Sequence, residues 1–344
     1  MNIIRVGLSV LFIVGLSAGV YASPAAPVVT FKGLCDASAA QLIGNNRFIV
    51  ANDEDNVLRI YDVNRPDSFP VGEMDVSSHL GIGHDDETDL EATAMLNGKN
   101  YWLTSHGRNK NGKLKKARYW FFATSVQGGS DEGGIAFSGS PYHKIVEDML
   151  KDNHLQMIHN VLKKATRLNE DEVEELAPKK KGLNIEAMAP HLEGGGLYIG
   201  LRNPTFERKA ILVLLTNPEQ VIHSGAKAEF AAPVLLDLHG LAFRSMEAIH
   251  VGEQSFYLIV AGPKESGEGM KLARWSGNPE DQVTFIQDLP LSPEAISYDA
   301  VKNELIITSD DGTRDIGGRP CKELDAATRM FRVMILDRNS AHLP

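Results

Sequence analysis

Only two cysteines occur in 344 residues, which excludes a disulfide-dense scaffold and any multi-cysteine zinc module. Basic residues are the minority. The 35 Lys and Arg face 45 Asp and Glu, a net charge of −10, so no global positive field is available to hold a nucleic-acid backbone. Beyond residue 22 no apolar stretch approaches the length of a membrane-spanning helix. No complete catalytic signature is present either. The single match to a G-x-S-x-G nucleophile elbow, at residues 15–19, lies inside an apolar leader and is discarded. No nucleotide or redox cofactor is indicated.

What is present begins with that leader. Arg5 supplies a positive start, residues 6–20 are uncharged and mostly apolar, and Val20 and Ala22 stand where small residues precede cleavage. Residues 1–22 are therefore expected to be a signal peptide. The mature chain, 23–344, is expected in the periplasm or outside the cell, with no membrane span.

The remaining sequence repeats. An acidic residue followed by alanine opens a short strand five times, at Asp36, Glu91, Glu186, Glu247 and Glu294. A second strand follows each time (47–53, 100–109, 196–203, 255–264 and 304–313), and then a third (57–63, 117–126, 210–216, 270–276 and 329–336). Aromatic and β-branched residues fill these runs, and Gly, Asn or Asp separate them, as hairpins require. Starts spaced 55, 95, 61 and 47 residues apart match a four-stranded propeller blade as the repeating unit. The expectation is an all-β chain forming one β-propeller domain of five four-stranded blades. The long interval is explained by residues 142–178, where Ile145, Met149, Leu150, Met157, Ile158, Val161 and Leu162 recur at helical spacing. They are expected to form a helical insertion between two blades, with Asn169 and Glu172 starting a second, acidic helix.

Several ordered segments resemble the domain-of-unknown-function 3616 family: 31–38 (FKGLCDAS), 52–62 (NDEDNVLRIYD), 87–92 (ETDLEA), 105–113 (SHGRNKNGK), 199–204 (IGLRNP), 236–249 (LDLHGLAFRSMEAI) and 293–299 (PEAISYD). This resemblance covers nearly the whole mature chain and implies propeller-like β-structure without a defined activity. The Glu-Ala motifs are also more loosely similar to the Glu-Gly-Leu-Ala inner-strand motifs of the esterase-like activity of phytase family, with alanine here where that family often has glycine.

In a propeller, the innermost strand begins on the face where the second strand ends. Asp36, Glu91, Glu186, Glu247 and Glu294 should then share one channel mouth with Asn52, Asp53, His106, Arg108, Arg202, Asn203, Lys264, Asp310 and Asp311. Five close carboxylates need compensation, because like charges and burial both oppose ionisation. Loop N–H groups can accept them, a hard cation such as Ca²⁺ or Mg²⁺ can neutralise them, or the rim cations can pair with them. The preferred reading is a propeller that binds a small anionic ligand or a protein partner. The alternative is a metal-supported hydrolase of phosphate or other esters, in which Arg108 and Arg202 hold the anion, Glu91 or Glu186 acts as base and His106 assists.

Closure yields one more expectation. Cys35 lies just before the first inner strand and Cys321 shortly before the last run, while residues 28–33 are suited to pair with the final blade. Closing the ring brings both cysteines together, and an oxidising compartment permits a Cys35–Cys321 disulfide.

Overall fold

Each sequence unit folds as an antiparallel meander because its strands are short, rich in β-branched and aromatic residues, and joined by tight turns. Asn45 and Asn46, and Asn97 and Gly98, all take positive φ, as two-residue hairpin turns of the primed type require. The computed structural model describes residues 26–127, 134–265 and 267–338; the expected signal peptide lies outside them.

After β1 (Val28–Lys32), the first sheet runs β2 (Ala39–Gly44), β3 (Arg47–Ala51), β4 (Val57–Asp62) and β5 (Gly72–Asp75). The short helix α1 (Ser77–Leu80) leads to β6 (Leu90–Leu96), β7 (Lys99–Thr104), β8 (Phe121–Gln127) and β9 (Gly134–Tyr142). After the insertion come β10 (Asn184–Pro190), β11 (Leu197–Phe206), β12 (Lys209–Leu215) and β13 (Val234–Leu236), with α4 (Pro218–Ser224) between the last two. The fourth sheet is β14 (Ala242–Val251), β15 (Gln254–Gly262), β16 (Lys271–Trp275) and β17 (Thr284–Asp288). The fifth is β18 (Pro293–Asp299), β19 (Glu304–Ser309) and β22 (Met330–Asp337), with β20 (Asp315–Ile316) and β21 (Arg319–Pro320) forming a small hairpin before β22. Its outermost strand is β1, in register from Val28 opposite Met334 to Lys32 opposite Met330. The result is a five-bladed β-propeller.

The inner strands β2, β6, β10, β14 and β18 each touch the next, and β18 touches β2, so the ring closes. Sheets bury both faces only if a packed layer fills every gap between blades. Five hydrophobic clusters do this, one per gap. Trp102 and Phe122 meet Ile49 and Leu58 between blades one and two, and Phe31, Phe48, Tyr61 and Phe331 meet where blade five closes on blade one. Cys35 and Cys321 form the expected disulfide, with Cα atoms 5.9 Å apart.

The insertion does separate blades two and three, but it is less helical than its periodicity suggests. It holds α2 (Ile145–Met149), α3 (His159–Thr166) and 3₁₀ turns at Asn153–Ile158 and Glu174–Leu176. Ile145, Met149, Ile158 and Leu162 reach the core between those blades, which accounts for the apolar spacing. The second acidic helix is reduced to the 3₁₀ turn Glu174–Leu176 and starts later than expected, because Glu172 bridges Lys113 and Val173 is extended. Among the described residues no helix is long and apolar enough to cross a membrane.

Candidate cation site at the channel mouth

The mouth is built by one recurring irregularity. In four blades the pairing of the first two strands skips one inner-strand residue: Glu91, Glu186, Arg244 and Glu294. Ser38 holds the corresponding place in blade one, directly before the first paired residue Ala39. A skipped residue bends the strand and re-aims its side chain. All five line one cavity of about 510 Å³. The following residue is small every time (Ala39, Ala92, Ala187, Ser245 and Ala295), which suits the crowded start of the innermost strand.

This register corrects the expected ring of five acids. Glu247 stands three residues beyond Arg244, in mid-strand opposite Leu258, and is not part of the mouth. Asp36 lies two residues before Ser38 and bridges Asp310 behind the cavity wall. There its carboxylate presses on Gly312, where any Cβ would overlap it. Burial, followed by the neighbouring Asp310, raises the Asp36 carboxyl to about 8.

Several rim residues are also placed otherwise than expected. Arg108 is buried away from the cavity and donates to the carbonyls of Gly112, Thr166, Arg167, Glu170 and Asp171, pinning the insertion instead of meeting an anion. His106 is fully buried, donates through Nδ1 to the Thr104 carbonyl at 2.9 Å, and is pushed down to about 4 by burial. It lies inside the fold and not on the cavity lining, with Nε2 buried and unpartnered. Asp311 is held by Arg332, and Asn52 accepts from the Glu54 N–H in its own turn. Asn203 donates to the Pro178 carbonyl and Lys264 to the Thr205 hydroxyl, beside a neighbouring groove.

Six of the expected residues do meet at the cavity: Asp53, Glu91, Glu186, Arg202, Glu294 and Asp310. Asp89 and Arg244 belong to the same wall and were missed. Asp89, from the 87–92 motif, takes a positive φ and lines the cavity.

The carboxylates divide into two kinds. Glu186 is compensated: Arg202 Nη1 lies 2.6 Å from its Oε1, Asn184 donates to it at 2.7 Å, and Arg244 Nε stands 3.1 Å from its Oε2. Glu294 is paired with Arg244 as well. A base role for Glu186 is therefore not supported by its surroundings. Glu91 has no hydrogen bond or ion pair among the described residues, yet its oxygens lie within 4.8 Å of two acidic groups, Asp53 with Asp89 and Glu186 with Glu294. Burial first, then the neighbouring Asp89, Glu186 and Asp53, raises its carboxyl well above the ordinary range. Asp53 is likewise raised well above the ordinary range, by burial first and then by Asp310, Asp36 and Asp89, and its Oδ1 is buried without a partner. Asp89, pushed up to about 6 by burial, is held by Arg118 at 2.8 Å.

Glu247 gives a separate pH signature. It accepts from the Tyr298 N–H inside the channel, and desolvation raises it to about 8. Because the folded value lies above the ordinary 4.5, its stabilising contribution is complete below that pH, shrinks as pH rises, and is gone above about 8. Glu247→Gln is expected to match the wild type near pH 5 and to melt higher near pH 9. Parallel melting curves across that range would contradict the assignment.

No family model matches the chain, and no curated protein matches it. Similar solved structures include the Myxococcus xanthus glutaminyl cyclase, 10% identical with a TM-score of 0.41, over 90% of this chain and 94% of that one. A chain of a mitotic checkpoint complex is likewise 10% identical with a TM-score of 0.40, over 98% of this chain and 99% of that one. Likeness at this level bears on neither the mouth nor its ligand.

Proposed function

We propose that this protein is an exported ligand-binding propeller whose channel mouth holds a hard divalent cation, Ca²⁺ or Mg²⁺, on Asp53, Asp89 and Glu91. The observation that carries this reading is Glu91, an acid with no cation of its own between two further acidic pairs. Three oxygens no more than 4.8 Å apart leave an ion at their centre within about 2.8 Å of each, close to Ca²⁺–oxygen distances. The donor set is all oxygen, which suits Ca²⁺ or Mg²⁺ rather than a thiolate- or imidazole-seeking metal. The unpartnered Asp53 Oδ1 supports the same site. The cation differs from the expected one in its ligands, since Glu186 and Glu294 already share Arg244 and Glu247 lies elsewhere. The disulfide supports an oxidising compartment, the periplasm or the exterior.

Calorimetric titration with Ca²⁺ and Mg²⁺ tests the site. The wild type is expected to bind one ion. Asp53→Asn and Glu91→Gln should each weaken binding at least tenfold, and Glu247→Gln should bind as the wild type does. At a hundredfold excess over Kd the ion stabilises the fold by about 2.7 kcal/mol, so chelator should lower Tm. Absence of binding at millimolar ion, or equal affinity in Glu91→Gln, would overturn the reading.

A second reading, metal-supported hydrolysis of phosphate or other esters, is favoured by one observation. Asp36, raised to about 8, lies behind the wall against Asp310, which lines the same cavity, so two carboxyl groups stand together there as a candidate proton-transfer pair. An esterase and phosphatase screen with Ca²⁺ or Mg²⁺ present separates the two readings, because a binder turns over nothing.

A further inference from the structure

The mouth contains a donor that the fold leaves unused. Three arginines reach its wall, and in two of them both terminal nitrogens are engaged. Arg202 spends Nε on the Lys264 carbonyl, Nη1 on Glu186 and Nη2 on the Glu265 carbonyl. Arg118 spends its two terminal nitrogens on Asp89, the Arg108 carbonyl and Glu87. Arg244 is different. It is 6% exposed and ion-paired with Glu186 and Glu294, yet its Nη1 is buried in the cavity wall without an acceptor, and its Nε, 3.1 Å from Glu186 Oε2, makes no hydrogen bond. An unpaired guanidinium N–H is costly to bury, so an oxygen entering the cavity would gain by accepting it.

The two acidic triads share Glu91, so Arg244 occupies the second triad while the first is left for an ion. In two-metal sites, neighbouring cations held by shared carboxylates clamp the oxygens of an oxyanion. We propose that the cation on Asp53, Asp89 and Glu91 and the guanidinium of Arg244 form such a clamp, with arginine in place of the second metal, for the phosphate or carboxylate group of a small hydrophilic ligand. The proposal rests on the cation reading above.

Three further features define the ligand. Asn184 Oδ1 is buried and unpartnered in the same wall, where it accepts a hydroxyl or amide proton. Lys110 and Lys179 line the rim with no ion pair among the described residues and add positive charge for the anion. Apart from Ala177 and Pro178 the lining is polar or charged, and about 510 Å³ holds a small molecule, not a folded chain.

The test titrates Mg²⁺ first, then inorganic phosphate or oxalate, into wild type and Arg244→Lys, with circular dichroism confirming that the variant folds. Lysine keeps the charge but cannot hold two glutamates and still present a free planar N–H. Phosphate or oxalate is expected to bind the Mg²⁺-loaded wild type saturably, at least tenfold more weakly without Mg²⁺, and at least tenfold more weakly in Arg244→Lys. The tighter of the two anions identifies the ligand group. Equal affinity with and without Mg²⁺, equal affinity in the variant, or no anion binding to the loaded wild type would overturn the clamp. Failure of both Mg²⁺ and Ca²⁺ to bind the wild type removes the cation reading and the clamp together. Phosphate binding to that metal-free protein, lost in Arg244→Lys, would then mark an arginine-only subsite.

Discussion

Replacing Cys35 and Cys321 by serine is expected to lower the melting temperature by roughly 5–8 °C. The disulfide spans 286 positions and so closes nearly the whole propeller into one covalent loop. In the chain-entropy model a loop of that length restricts the unfolded ensemble by about 5 kcal/mol, and measured bridges often deliver less. Spread over the unfolding entropy of a chain this long, that energy corresponds to the stated shift. The bridge sits where β1 joins β22, and its neighbours matter to the mouth. Asp36 follows Cys35, and Lys322 follows Cys321 and reaches Glu54 at 2.7 Å. The double variant should therefore also bind the cation more weakly. Thermal melting with and without a thiol reductant provides the check. Reductant should bring the wild type down to the variant's Tm and leave the variant unchanged; a difference below 1 °C would mean that strand pairing alone secures the closure.

Arg108→Ala should have the second large effect, confined to one region. A single buried guanidinium satisfies five carbonyls, three of them at the end of α3 and just beyond, at Thr166, Arg167 and Glu170. Truncation leaves these acceptors enclosed without donors and opens a cavity, a combined cost on the order of 3–5 kcal/mol. The blades do not depend on these bonds, so the insertion is expected to loosen while the propeller persists. Trypsin supplies the readout, because Lys163 and Lys164 are exposed on α3. Cleavage there should accelerate at least tenfold, with little change in the unfolding of the sheets. Arg108→Lys should behave like alanine, since one ammonium offers three protons in the wrong geometry. Because Ala177, Pro178, Lys179 and Lys180 of the same insertion line the mouth, weaker cation binding should accompany the loosening.

The sequence by itself determined the blade architecture, because the signals are local. Alternating β-branched and aromatic residues, with Asn and Gly between them, specify hairpins within a few residues of each other. Four of the five second strands extend as expected to within four residues of their observed ends, whereas 100–109 stops at Thr104, where His106 takes a positive φ. Ring closure and the disulfide were also legible, since a chain of such units must join its ends and only two cysteines exist to meet there. The tertiary structure alone decided which residues face the mouth. Acid–alanine pairs identified Glu91, Glu186 and Glu294, but which residue a hairpin skips is set by hydrogen bonds to the partner strand. In blade four that residue is Arg244, followed by Ser245, and Glu247-Ala248 is a coincidence of composition three positions away. Charge alone could not separate Arg108 from Arg244 either. One is consumed by carbonyls 58 to 63 residues distant once the insertion folds back, and the other is fastened between two glutamates from different blades. A side chain's partners across such distances exist only after the ring has closed, so the channel mouth is a property of the packed propeller and not of any single segment.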